Sequence, residues 1–172
     1  MTTYLGGRLL VAAPELDDPN FDRAVILVIE HSEEGAVGVV LTHQSETYVA
    51  EHLPTVAPHV CEPPMFFVGG PVSQGAVIAL ARESGAPALY ELDELIADEV
   101  EAPTWLRLFD GYSGWGPGQL DAEVATGSWF VVDSFDTDAF TDEPDALWRA
   151  VLRRQPGRVS RLALYPDDVM SN

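Results

Sequence analysis

Short, continuous apolar runs dominate the first forty residues of the chain. Residues 8–13, 24–31 and 36–42 are rich in Leu, Val and Ile, and runs of this length and composition predict buried β-strands. Only residues 32–35 separate the second run from the third, which is typical of a β-hairpin. Because the runs are apolar at successive positions, we expect one sheet that is covered on both faces.

The next part of the chain carries weaker signals. Residues 45–53 show a helical pattern that ends at Pro54, and a short strand is expected within residues 89–92. Residues 66–68 and 77–81 have the composition of two further strands. The glycines between them favour a hairpin with a wide turn.

Residues 111–120, GYSGWGPGQL, are the least ordinary stretch by composition, with four glycines, a proline and two aromatic residues. The alternating pattern of residues 105–109 predicts a strand that enters this stretch. Glycine and proline disfavour both helix and ladder, so we expect a tight bend that a buried Trp115 anchors in the core. A short helix over residues 119–125 and a strand over residues 128–134 should follow.

The strongest helical pattern lies near the C-terminus, over residues 145–154. Pro144 fits its first turn, and Pro156 and Gly157 end it. Its apolar stripe consists of Leu147, Trp148, Val151 and Leu152. The tail, residues 159–165, is expected to be a last strand or extended segment.

Composition narrows the function classes. A chain of 172 residues is large enough for one self-sufficient domain, which we expect to span residues 1–172. The net charge of −19, from 28 acidic and 9 basic residues, disfavours nucleic acid as a partner. A lone cysteine, Cys61, fits the reducing cytoplasm. No apolar run is long enough to span a membrane, so no membrane partner is expected.

The residue types that could carry catalysis form no complete catalytic motif in the sequence. The histidines lack metal-ligand spacing, Ser113 lacks a nucleophile elbow, and the glycine-rich stretches are not nucleotide-binding motifs. His31 follows Glu30 on a predicted strand, where the two side chains point to opposite faces. We therefore predict no metal, no cofactor and no assigned catalytic residue. An enzyme of unknown class, with Glu30 or His31 as base and Arg23 positioning an anion, is the alternative.

Six motifs together indicate a known family. They are GRLLVAAP (7–14), DPNFDRAVIL (18–27), EH (30–31), GAVGVVL (35–41), VGGPV (68–72) and GYSGWGPGQL (111–120). With these motifs the chain resembles the YqgE/AlgH family, also called UPF0301, across residues 6–154. The resemblance implies a single α+β domain whose bifurcated, mostly antiparallel sheet folds into a pseudo-barrel with flanking helices. It also implies a cytoplasmic bacterial protein without an established reaction.

One branch of that family is described as a transcriptional regulator, without a DNA-binding motif to go with the description. For this acidic chain the corresponding role would be indirect regulation without direct DNA contact. Our main prediction is a non-enzymatic protein that binds a small molecule or another protein in a regulatory role. The predicted ligand-binding residues come from three loops: Asp17, Phe21, Arg23, Gly69, Gly70, Pro71, Tyr112, Trp115 and Gln119.

Overall fold

The computed structural model describes residues 4–165, which form nine strands, three α-helices and several 3₁₀ turns. The strands are β1 (Leu9–Ala12), β2 (Val25–Ser32), β3 (Gly35–Val40), β4 (Gln44–Tyr48), β5 (Met65–Val68), β6 (Val72–Arg82), β7 (Ala88–Leu89), β8 (Trp105–Trp115) and β9 (Trp129–Val132). The α-helices are α1 (Asp93–Ile96), α2 (Gln119–Ala125) and α3 (Pro144–Arg153).

The sheet divides at β8, which pairs with three other strands. The main path runs β4-β5-β8-β3-β2-β1-β9, while β6 pairs with β8 and β7 pairs with β6. The end of β8 pairs with β3, and its first part pairs with β6 and, in parallel, with β5. The α+β class and the bifurcated, mostly antiparallel sheet are therefore confirmed. Within residues 4–165 the sheet stays open, since its terminal strands β4 and β9 do not pair.

Both faces of the β1–β3 region are buried, as the sequence predicts. Along β1, Leu9 and Val11 pack on the face that α3 covers, whereas Leu10 and Ala12 pack on the face that α2 covers. The helix α3 presents its predicted apolar stripe to the first face, where the indole N–H of Trp148 donates to the carbonyl of Ala12 at 3.0 Å. We call these two sides the α3 face and the α2 face.

The prediction of one tight bend over the glycine-rich stretch is wrong for most of that stretch. The strand β8 continues to Trp115, and its residues 113–115 pair with Gly38, Val37 and Ala36 of β3. Only residues 116–118 leave the ladder before α2. Gly111 shows why glycine is tolerated inside this strand: its φ is +73°, and a Cβ there would lie 2.7 Å from the carbonyl oxygen of Gly70. Glycine lets β8 bend against the neighbouring backbone.

The expected hairpin between residues 66–68 and 77–81 is also wrong. Both segments are strands, β5 and β6, but each pairs with β8 and not with the other. The chain changes direction at Gly70, whose φ is +152° and where a Cβ would lie 2.3 Å from the carbonyl carbon of Tyr112. Close backbone contact with β8 thus replaces the local turn that the glycines suggested.

Three weaker predictions need correction. Residues 45–53 form most of the edge strand β4 and then a 3₁₀ turn, Val49–Glu51. The pairing of β4 with β5 outweighs the weak helical pattern of this segment, and its residues alternate in exposure. The strand expected at residues 89–92 is shorter and earlier, at Ala88–Leu89. The tail forms the 3₁₀ helix Gly157–Leu164, which packs its buried Ala163 into the core of the α3 face.

Candidate functional site

Two of the three predicted ligand-binding loops lie side by side. The amide of Gly69 donates to the carbonyl of Asp110 at 3.0 Å, and the hydroxyl of Ser113 donates to the carbonyl of Gly69 at 3.0 Å. Gly70 lies against Tyr112, as its close backbone contact shows. Of the predicted residues in this region, Pro71 and Gln119 are exposed, Tyr112 is half-buried, and Gly69 and Gly70 are buried.

The aromatic residues of the predicted site are mainly part of the core on the α2 face. Trp115 is buried, which agrees with the anchoring role predicted for it, and its ring meets that of Trp129 edge to face at 6.3 Å. Phe21 contacts the same Trp129 at 5.4 Å. Both indole N–H groups donate to one carboxylate oxygen of Glu123, at 3.1 and 3.0 Å. This shared acceptor fixes α2 against β8 and β9.

The remaining predicted residues lie apart from this group. Arg23 is on the α3 side, with its guanidinium 4.8 Å from the ring centre of Trp148. Asp17 is exposed in the loop between β1 and β2. The structure therefore places Phe21 and Trp115 against the same Trp129 and Gly70 against Tyr112, while Arg23 contacts Trp148 on the α3 face. Ligand binding by these loops stays a prediction.

In the alternative enzyme hypothesis, Arg23 would act together with Glu30 or His31, but Arg23 lies far from both. His31 also already contacts two other residues. Its Nδ1 accepts the amide of Leu5 at 3.0 Å, and its Nε2 lies 3.5 Å from a carboxylate oxygen of Asp121. The imidazole thus joins the N-terminal segment to α2. Glu30 is exposed, and Arg23 precedes the opposite end of β2, roughly 25 Å away at strand spacing.

A large concavity lies elsewhere, between the start of β8, the segment around Cys61 and α3. It is an open cleft of about 790 Å³, which we call the α3 cleft. Its apolar walls are Trp105, Phe135, Phe140, Leu147 and Ala150. Its polar lining consists of Cys61, Glu62, Thr104, Thr137, Asp138, Thr141, Asp142 and Arg154. Sequence reasoning did not point to this cleft, because its walls come from four distant segments.

One ion pair lies within the cleft wall. An Nη of Arg154 donates to a carboxylate oxygen of Asp138 at 2.9 Å, and the second carboxylate oxygen accepts the amide of Phe135 at 2.8 Å. The guanidinium of Arg154 also stacks on the ring of Phe135, 3.8 Å from its centre. The remaining Nη of Arg154 is buried without a hydrogen-bond partner in the described part of the chain. These contacts hold Phe135 at the cleft rim.

A buried arginine fixes the wall behind the cleft. Arg107 is 1% exposed, and its guanidinium donates to the carbonyls of Glu62 at 2.6 Å and Thr141 at 2.6 Å, with a longer bond of 3.4 Å to Ala139. It also lies 4.3 Å from the ring centre of Phe67. Arg107 therefore ties two cleft-lining segments, distant in sequence, to β8.

Arg107 makes no ion pair with a carboxylate among residues 4–165. Burial lowers its pKa to about 10, an effect that nearby Cys61 and Asp142 partly oppose. The side chain is still a cation at neutral pH, and backbone carbonyls supply the compensation that a carboxylate usually gives. The alternating pattern of residues 105–109 would place Arg107 on a solvent face; here the extra layer formed by residues 138–141 covers it.

Two of the arginines near the C-terminus, Arg149 and Arg154, make internal contacts. Besides the Arg154–Asp138 pair, Arg149 donates to the carbonyl of Ala163 and lies 5.6 Å from the ring centre of Trp148. These two side chains stabilise the packing of α3, whereas Arg153, Arg158 and Arg161 are exposed.

Residues 4–165 contain no group of three His, Cys, Asp or Glu side chains that could hold a metal ion. Over the same residues, no helix has the length and apolar character needed to cross a bilayer.

Comparison with known proteins agrees with this fold. Residues 9–160 match the AlgH-like family. A UPF0301 protein from Streptomyces coelicolor is 44% identical over 98% of this chain and 95% of the relative, and one from Thermobifida fusca is 39% identical over 98% and 96%.

Two solved structures have the same architecture. A crystal structure of a Corynebacterium diphtheriae protein is similar with a TM-score of 0.85 and 30% identity, covering 94% of this chain and 93% of that one. The solution structure of AlgH from Pseudomonas aeruginosa, a UPF0301 protein, has a TM-score of 0.72 and 28% identity, with 96% of each chain covered. The fold and the sequence together show that this chain belongs to the AlgH-like, or UPF0301, family.

Proposed function

We propose that this protein binds a small, partly aromatic molecule in the α3 cleft and acts through that binding, in a regulatory role in the cytoplasm, without catalysing a reaction. The observation that carries the proposal is the cleft itself. Its volume of about 790 Å³ lies within the range of roughly 300–1,000 Å³ that is usual for small-molecule sites.

The cleft walls favour a planar molecule with a few polar groups. Trp105 and Phe140 lie 6.0 Å apart between ring centres and offer apolar faces on one side. Thr104, Thr137 and Thr141 supply hydroxyl groups nearby, and the Nη of Arg154 that is not bonded to Asp138 supplies a donor. Five apolar and eight polar residues line the cleft, so a matching ligand needs an apolar surface and several polar groups that fix its orientation.

The cleft is supported by a rigid wall. The bonds from Arg107 to the carbonyls of Glu62 and Thr141 hold two lining segments in place before any ligand arrives. A preformed site loses less conformational entropy on binding than one that must be ordered by its ligand. This favours a binding role that needs no large rearrangement.

The cleft contains three carboxylates, those of Glu62, Asp138 and Asp142, but no nucleophile with a histidine to activate it. No histidine is among its lining residues, and its one thiol, Cys61, has no imidazole there to activate it. Asp138 already accepts bonds from Arg154 and from the amide of Phe135. These assignments support binding over acid-base or nucleophilic chemistry.

The proposal predicts that a bulky substitution at one position of α3 abolishes ligand binding, while the same substitution at a second position of the helix does not. Ala150 lines the cleft, and Ala146 is exposed on the same helix outside the cleft lining. In a thermal-shift screen of small aromatic molecules, a ligand at a hundred times its Kd should raise the Tm of the wild type by about 5–10 °C. Ala146→Trp should respond equally, and Ala150→Trp should not respond.

Two results would contradict the proposal. One is a ligand that stabilises Ala150→Trp as much as the wild type, since the indole would occupy the cleft. The other is a product, detected by product analysis, that the wild-type protein forms from a ligand. The proposed role involves no reaction, so no product is expected.

A further inference from the structure

A second concave region lies beside β6 and β7. Two cavities of about 330 and about 390 Å³ adjoin there and share Leu53 and Val77 in their walls. We call the combined surface the β6–β7 groove. It has no lining residue in common with the α3 cleft, so its role is independent of the proposed ligand site.

The groove exposes large apolar side chains to solvent. Leu89 is 60% exposed, Val77 is 43% exposed and Ile96 is 41% exposed. Leu53, Tyr90 and Leu92 also line this surface, half-buried, and pack against the core beneath it. A cluster of exposed aliphatic groups around a concavity is typical of a protein interaction site, whereas single exposed apolar residues are ordinary.

The charged groups along the groove are almost all acidic. Glu91, Asp93 and Asp110 line it, and no arginine does. His52 is its only lining residue able to become cationic. Residues 91–101, which contain α1, hold six acidic residues and no basic one. Asp110 accepts the amide of Gly75 at 2.6 Å, so Glu91 and Asp93 are the carboxylates best placed for a partner.

We propose that the β6–β7 groove is the docking site for an amphipathic, basic helix of a partner protein. Leu, Ile or Val side chains on one side of such a helix would cover Leu89, Val77 and Ile96. Lys or Arg on its flanks would meet Glu91 and Asp93. Charge complementarity selects a basic partner over an acidic one, and burial of the apolar groups supplies the affinity.

The test uses a fluorescein-labelled helical peptide of about 18 residues built from Leu and Lys, with a Leu and Glu peptide of equal length as the charge control. Fluorescence anisotropy at physiological ionic strength should show binding of the basic peptide only. The double variant Leu89→Ser/Ile96→Ser should weaken this binding about tenfold or more. Leu164→Ser, which alters a residue that is 80% exposed outside the groove, should leave it unchanged.

The acidic rim is tested separately. Glu91→Gln/Asp93→Asn should weaken basic-peptide binding and reduce its dependence on salt, while the far-ultraviolet spectrum and Tm remain those of the wild type. The proposal is overturned if both peptides bind equally, or if the groove variants bind the basic peptide as the wild type does. It is also overturned if light scattering shows a dimer that Leu89→Ser/Ile96→Ser dissociates, since the groove's occupant would then be a second copy of this chain.

Discussion

Replacement of Trp115 by alanine is expected to lower the free energy of unfolding by roughly 3–5 kcal/mol. The indole is 7% exposed and packs against Trp129 and the other buried residues of the α2 face. Its removal leaves a cavity at the junction of β8 and α2, and Glu123 loses one of its two indole donors. Urea denaturation of the wild type and the variant measures the difference.

Two further variants separate the causes of this loss. Trp115→Phe keeps most of the ring volume but removes the N–H, so we expect an intermediate loss of about 1–2 kcal/mol. Tyr48→Ala is the control, because Tyr48 is 49% exposed on the edge strand β4 and its loss should stay near or below about 1 kcal/mol. A Trp115→Ala loss as small as that of the control would show that the indole does not anchor the core.

Arg107→Ala should have a comparable effect for a different reason. The substitution removes the donors to Glu62, Ala139 and Thr141 and the packing over Phe67. Buried carbonyls without donors, together with the cavity, should cost on the order of 3–5 kcal/mol. Arg153→Ala, at an exposed position of α3, should cost less than about 0.5 kcal/mol.

Arg107→Met tests how much of that stability depends on hydrogen bonds. Methionine fills part of the aliphatic volume and avoids burial of a charge, but it leaves the carbonyls without donors. We expect a loss of about 1–3 kcal/mol, together with weaker ligand binding in the α3 cleft. A methionine variant with wild-type stability and wild-type ligand binding would show that the carbonyl contacts neither stabilise the fold nor shape the cleft.

The sequence predicted best where local pattern and burial agree. The runs of β1, β2 and β3, the short helix α2 and the amphipathic helix α3 were all recognisable. In each of them the spacing of apolar residues matches the faces that are buried in the structure. The family resemblance, confirmed by comparison, supplied the bifurcated sheet. Local pattern alone would not have revealed that β5 and β6 both pair with β8, since these pairings join residues roughly 20 to 40 positions apart in the chain.

The glycine-rich stretch shows how a correct observation led to a wrong local structure. Glycine at positions 70 and 111 signals an unusual backbone, and both have positive φ. However, glycine is required at these positions because two backbones approach each other closely inside the divided sheet, and not because one segment bends tightly. Sequence reasoning had no measure of that approach, because the neighbouring backbone comes from a different part of the chain.

The α3 cleft was missed for a related reason. Its polar groups, Asp138 and Arg154, lie sixteen residues apart and on different elements, and Arg107 looks like a solvent-facing residue of an alternating strand. Only the packing of residues 138–141 over β8 buries Arg107 and creates the wall. A charged residue inside a strong strand pattern was the one available signal.

Amide NMR spectra recorded during titration with a library of small aromatic fragments test the central claim most directly. Fragments that bind are expected to shift the amides of Thr104, Trp105 and residues 137–142, and Ala150→Trp should remove these shifts while Ala146→Trp preserves them. Fragments that instead shift residues 69–71 and 111–119, with the amides of the α3 cleft unchanged, would contradict it.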